Sequence, residues 1–141
     1  RLKILGDPEI LPKNLRDLID ETADISTHYE GFQANVCLNY GGRDEIVRAA
    51  LRFAEDYKAG KVSTLTEESF SAYMFSAGIP DPDLIIRPGG EMRLSNFLMW
   101  ESAYSELIFT DVLWPDFTSE DIDAAIAEYQ RRDRRFGGIK K

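Results

Sequence analysis

The sequence predicts an α/β fold in which a mainly parallel sheet is flanked by helices. Three observations predict it. Short β-branched runs alternate with stretches of helical periodicity, paired glycines follow two of those runs, and strands separated by helices imply right-handed crossovers.

RLKIL, at residues 1–5, opens the chain as an alternating strand. Pro12 can sit in the first turn of a helix whose apolar positions Leu15, Leu18, Ile19 and Ala23 share helical spacing. QANVCLNY, residues 33–40, reads as a second strand, broken by Gly41-Gly42. An amphipathic helix carrying Ile46, Ala50, Ala54 and Tyr57 follows, with Gly60 as its stop. Thr64 or Thr66 caps a short helix whose first turn holds Glu67 and Glu68. PDPD then turns the chain into the strand LIIR, residues 84–87. Beyond Gly89-Gly90, SNFLMWESAYSEL reads as a helix, LIFT as a short strand, and TSEDIDAAIAEYQRR as a last helix with Ile122, Ala125, Ile126 and Tyr129 on one face.

Length and composition fit one ordinary domain, since 141 residues with 43% hydrophobic and 30% charged content are typical of globular chains. No apolar run is long enough to span a membrane. Cys37 is the only cysteine, which rules out an intramolecular disulfide or a cysteine-based metal site and reads as a buried, inert thiol. A net charge of -8 argues against nucleic acid as a partner. Charge is uneven, however: residues 131–141, RRDRRFGGIKK, carry six basic side chains against Asp133. Such a tail suits an anionic ligand, a subunit contact or an anionic surface, or is simply a solvated terminus.

In an open parallel sheet, ligands bind beyond the carboxyl ends of the strands, and both glycine pairs leave strands at that edge. The Asn39-Tyr40-Gly41-Gly42-Arg43 and Arg87-Pro88-Gly89-Gly90 loops each combine a guanidinium with expected exposed backbone amides. An arginine fork matches phosphate oxygens in a bidentate way, so a phosphorylated ligand is expected. The alternative is that Arg87 and Arg93 merely pair with Asp83 and Glu91 at a strand end. Ser95 adds a hydroxyl donor or caps the next helix. Glu106 lies in the apolar setting AYSELIF, where an unpaired charge is costly and Mg²⁺ would compensate it.

DPDLIIRPGGEMRLSNFLMWESAYSELIFTDVLWPDF, residues 81–117, resembles the signature of the cis-prenyltransferases, typified by undecaprenyl diphosphate synthase. NYGGRDEIVRA, residues 39–49, matches a second motif of that family, and the resemblance runs from the first strand through the RRFGG tail. It implies that Arg87, Arg93 and Ser95 hold the diphosphate of isopentenyl diphosphate while Gly89 and Gly90 let the chain turn around it. Asn39 and Arg43 would contribute from the other loop. Glu106 would help to bind Mg²⁺, and Arg135 with Gly137 resembles a C-terminal Arg-x-Gly element that reaches toward a partner's active site in dimers.

Two departures stand out. Pro88 replaces the family's usual threonine, removing a hydroxyl and an amide donor. No Asp-Gly-Asn-x-Arg loop, which supplies the family's catalytic aspartate and allylic-diphosphate site, occurs here, nor does the Ser-x-Glu-Asn-Trp loop. Residues 1–141 are therefore expected to be a single-domain portion from the C-terminal part of such an enzyme, with the catalytic aspartate upstream of Arg1 and no prenyl product from this chain alone.

The resemblance implies an undecaprenyl diphosphate synthase-like fold and a Mg²⁺-dependent homodimer. The complete enzyme would condense isopentenyl diphosphate with an allylic diphosphate such as farnesyl diphosphate. Undecaprenyl diphosphate for a cell-wall lipid carrier is the expected product, in a cytoplasmic protein that touches the membrane peripherally through its lipid product. Two rivals are a non-catalytic dimerising subunit of a heteromeric enzyme, which would be expected to lose the substrate arginines, and a generic nucleotide-binding module. The latter would want GxGxxG or GxxxxGK[ST], and neither appears.

Overall fold

The computed structural model describes residues 1–133. The chain divides into two compact units, Arg1–Ile79 and Pro80–Lys141. In the first unit the order is β1 (Leu2–Leu5), α1 (Lys13–Ser26), β2 (Ala34–Cys37), α2 (Gly42–Lys58) and α3 (Glu67–Ser71). In the second it is β3 (Leu84–Pro88), a 3₁₀ turn at Glu101–Tyr104, β4 (Glu106–Thr110), a second 3₁₀ turn at Trp114–Asp116, and α4 (Ser119–Arg131).

Both strand pairs are parallel, as the alternation of elements predicts. β1 runs beside β2 from Leu2↔Ala34 to Leu5↔Cys37, and β3 runs beside β4 from Leu84↔Glu106 to Pro88↔Thr110. The ladders form two two-stranded sheets rather than one continuous sheet. Pro88 fits its strand for a reason of hydrogen-bond parity. Glu106 N–H donates to the Asp83 carbonyl at 2.9 Å, so odd positions of β3 face β4 and the missing N–H of Pro88 lies on the opposite edge.

Local chemistry explains where the helices start and stop. Thr66, not Thr64, caps α3: Ser69 N–H donates to its hydroxyl at 3.1 Å, and its own N–H donates to Ser69 Oγ at 2.9 Å. Gly60, at φ 72°, ends α2 in a Schellman motif, with Gly60 N–H on the Tyr57 carbonyl and Lys61 N–H on that of Asp56. Asp121 reaches back to Thr118 N–H at 2.8 Å to start α4.

Three expectations are corrected. The inward face of α2 is Gly42, Glu45 and Ala49, whereas Ala50, Ala54 and Tyr57 are exposed. A buried glutamate on the core side shifts the face by one position from the apolar count. SNFLMWESAYSEL is not an α-helix, because Ser95, Asn96 and Leu98 take φ of 50°, 67° and 44°, and only the 3₁₀ turn at Glu101–Tyr104 forms. Cys37 is half-buried rather than buried.

The core of the first unit includes Leu5, Ala49, Phe70 and Met74; that of the second includes Ile108 and Ala125. Ile122 and Ile126 of α4 remain exposed, while Tyr129 is half-buried. No helix among the described residues is long and apolar enough to cross a membrane.

Candidate functional site

The loop after β2 is built against the loop after β1. Asn39 takes φ 45°, its Nδ2 donates to the Asp7 carbonyl at 2.9 Å, and Arg48 of α2 pairs with Asp7 Oδ2 at 2.8 Å and Asp44 Oδ2 at 2.6 Å. The hydrogen bond and charge of Asp44, and secondarily those of Asp7, raise the Arg48 pKa. Gly6 makes this approach possible, since at φ 123° a Cβ there would stand 2.1 Å from the Leu38 carbonyl oxygen. Replacing Gly6 by alanine is therefore expected to force the two loops apart and lower Tm, with amide exchange quickening at Asn39 and Tyr40. An unchanged exchange rate there would refute the close approach.

Glu45 anchors the same loop from below. Only 1% exposed, its carboxylate accepts the Tyr40 hydroxyl on Oε2 and the Phe75 N–H at 2.7 Å on Oε1. The Tyr40 and Phe75 rings lie 6.4 Å apart. Arg43 stands exposed in the first turn of α2.

In the second unit, Arg87 ends β3 at the mouth of a turn closed on itself. Its Nη1 donates to the Arg93 carbonyl and to Ser95 Oγ at 2.9 Å, and its Nη2 pairs with Glu91. Arg93 Nη2 pairs with the other oxygen of the same carboxylate. Ser95 caps no helix; its hydroxyl accepts from Arg87. Arg87, Arg93 and Ser95 thus converge in one turn, and the two arginines line an open cavity of about 260 Å³ together with Ile85, Leu94 and Phe97.

The glycines contribute conformation rather than exposed donors. Gly89 and Gly90 take φ of 96° and 75°, and their N–H groups donate to the carbonyls of Val112 and Thr110, each at 2.9 Å. These amides belong to the turn, which corrects the expectation that they are exposed to a ligand. Both arginines pair with Glu91, one of the two carboxylates expected for them.

Glu106 opens β4 opposite Leu84, three residues or roughly 10 Å along the ladder from the Arg87↔Phe109 pair. Its Oε2 accepts from Arg132 Nη1 at 2.8 Å, and Arg132 also pairs with Glu128. Arg132 is held above the ordinary arginine pKa by its hydrogen bonds to Glu106 and then Glu128. Among the described residues no group of three or more His, Cys, Asp or Glu could hold a metal ion. The donor chemistry of Glu106 suits Mg²⁺, as one carboxylate among other ligands, but it does not make a closed site. Arg135 and Gly137 lie outside the described residues.

Sequence reasoning missed Asp7, Glu45 and Arg132. Gly6-Asp7 directly after a strand was a legible signal for the first. Glu45 could have been found as the charged residue on the α2 stripe that also holds Gly42 and Ala49.

Two arginines and a serine thus gather at the carboxyl end of β3, the edge at which parallel α/β sheets place their ligands. The undecaprenyl diphosphate synthase family model, Prenyltransf, matches residues 1–137. An isoprenyl transferase of Clostridium perfringens is 48% identical over 99% of this chain and 56% of its own length. A tritrans,polycis-undecaprenyl-diphosphate synthase (geranylgeranyl-diphosphate specific) of Thermoplasma volcanium is 46% identical over 96% of this chain and 54% of its own. Lavandulyl diphosphate synthase from Lavandula x intermedia, solved with dimethylallyl diphosphate, superposes with a TM-score of 0.94 at 35% identity, over 97% of this chain and 60% of that one. The chain belongs to the undecaprenyl diphosphate synthase family of cis-prenyltransferases. It spans about half the length of the curated relatives it matches.

Proposed function

We propose that this chain carries the isopentenyl diphosphate site of a cis-prenyltransferase, which joins isopentenyl diphosphate to an allylic diphosphate such as farnesyl diphosphate. The observation that carries the reading is the Arg87–Ser95 turn, where two guanidiniums and a hydroxyl gather within reach of one small anion. Two forks with several N–H donors suit the many oxygens of a diphosphate. Isopentenyl diphosphate keeps its diphosphate through the condensation, so arginines there would bind and orient it rather than stabilise the departing group. Undecaprenyl diphosphate is the product we propose. A non-catalytic subunit is not favoured, because Arg87, Arg93, Ser95 and Glu106 are all present. A homodimer is proposed on the exposure of Tyr104, Leu113 and Trp114, each more than half exposed.

Equilibrium dialysis with labelled isopentenyl diphosphate tests the reading. Retention should be competed by inorganic pyrophosphate and lost with Arg87; retention of ATP in preference to isopentenyl diphosphate would favour the nucleotide-binding rival instead. When bound, Mg²⁺ would supply positive charge to the phosphates, and Glu106 is the one ligand proposed from this chain. Glu106→Gln is expected to weaken Mg²⁺ binding in the presence of pyrophosphate, read by calorimetry. Identical titrations would remove Glu106 from the metal.

A further inference from the structure

Glu91 bridges the two arginines of the turn, with Oε2 on Arg87 Nη2 and Oε1 on Arg93 Nη2. Like charges six residues apart would otherwise repel, and one carboxylate between them sets their spacing. Exposed ion pairs contribute little to stability, and the Glu91 and Arg93 side chains are 46% and 63% exposed, so that half of the bridge adds little to folding, whereas Arg87, 26% exposed, is the half that also ties the turn. The backbone beneath Glu91 is fixed. Gly89 and Gly90 are each bonded to the chain after β4, and a Cβ on Gly90 would meet Asp111 Oδ1 at 3.1 Å. The carboxylate therefore starts from a tethered base rather than a swinging loop.

We infer that Glu91 is a positioning residue for the anion site, holding the Arg87 and Arg93 forks at the separation a diphosphate needs and staying in place when the ligand binds. The inference rests on the diphosphate reading above. Each guanidinium has five N–H donors, so engaging Glu91 through one nitrogen leaves Arg93 an edge of its fork to offer a ligand. Arg87 is the more fully committed, since it also donates to the Arg93 carbonyl and Ser95 Oγ. Arg93 is accordingly the fork that Glu91 aims and Arg87 the one it locks. Without the carboxylate, binding has to order two long side chains against their mutual repulsion.

The sign of the effect makes the inference testable. By charge alone, removing a carboxylate beside an anion site should tighten anion binding. Positioning predicts the reverse: Glu91→Gln, the same size without the charge, should weaken inorganic pyrophosphate and isopentenyl diphosphate binding roughly tenfold in calorimetry, with Tm unchanged. Glu91→Asp, one methylene shorter but still charged, should recover part of the loss. In the active enzyme, KM for isopentenyl diphosphate should rise while the Michaelis constant for the allylic substrate stays level. Tighter or unchanged pyrophosphate binding by Glu91→Gln would overturn the inference, the first outcome marking Glu91 as a competitor that the ligand displaces. Arg87→Lys separates the two claims. If it weakens binding while Glu91→Gln does not, the diphosphate reading stands and only the positioning role falls; a parent protein that binds no pyrophosphate overturns both.

Discussion

Arg87→Lys is expected to raise the dissociation constant for isopentenyl diphosphate roughly 10- to 100-fold, with a small fall in Tm. Lysine keeps the positive charge and loses the planar fork, and charge-assisted hydrogen bonds contribute on the order of 1.5–3 kcal/mol. Arg87 Nη1 donates to both the Arg93 carbonyl and Ser95 Oγ, so one substitution removes the ligand fork and also releases the far side of the turn. Arg93, more exposed and with fewer contacts inside the protein, should show a smaller effect when changed the same way. Labelled isopentenyl diphosphate binding by the two variants checks both the size and the order. Equal binding by Arg87→Lys and the parent would remove the turn from the proposed site.

The turn was legible in the sequence because its signals are local. Leu84-Ile85-Ile86 followed by Arg-Pro-Gly-Gly gives a strand that must stop, half-buried in the structure, and the glycines supply the positive φ found at Gly89 and Gly90. What the glycines do with their N–H groups was not legible, since the Thr110 and Val112 carbonyls that accept them lie some twenty residues away along the chain. The segment after Ser95 failed for a related reason. Its apolar spacing is helical, but Ser95, whose hydroxyl Arg87 holds, and then Asn96 and Leu98 take positive φ, which overrides periodicity. Glu106 shows the opposite limit. An apolar neighbourhood correctly flags a carboxylate in need of a partner, yet the partner in the structure is Arg132, 26 residues on. Composition can show that a charge must be compensated without showing by what.

Glu45→Ala should be the most damaging substitution for stability in the first unit. The side chain is 1% exposed, so its removal takes the carboxylate acceptor from the Phe75 N–H and the Tyr40 hydroxyl and opens a void in the buried face of α2. A buried polar group left unmade costs about 1–3 kcal/mol, and because Tyr40 and Phe75 are only half-buried the combined loss is expected toward the lower end, about 1–3 kcal/mol, still a sizeable share of a typical domain's stability. Glu45→Gln separates hydrogen bonding from packing. Its amide keeps one acceptor oxygen for Phe75 N–H at nearly the same volume, and should recover much of the loss while leaving Tyr40 less well held. Because Tyr40 belongs to the loop that carries Asn39 and Arg43, the Gln variant links stability to the site: near-parent denaturant midpoints should accompany faster amide exchange at Asn39 and Tyr40. If Glu45→Ala unfolds at the parent's denaturant concentration, the buried carboxylate is not what ties α2 to Tyr40 and Phe75, and the one-position shift of the α2 face needs a different cause.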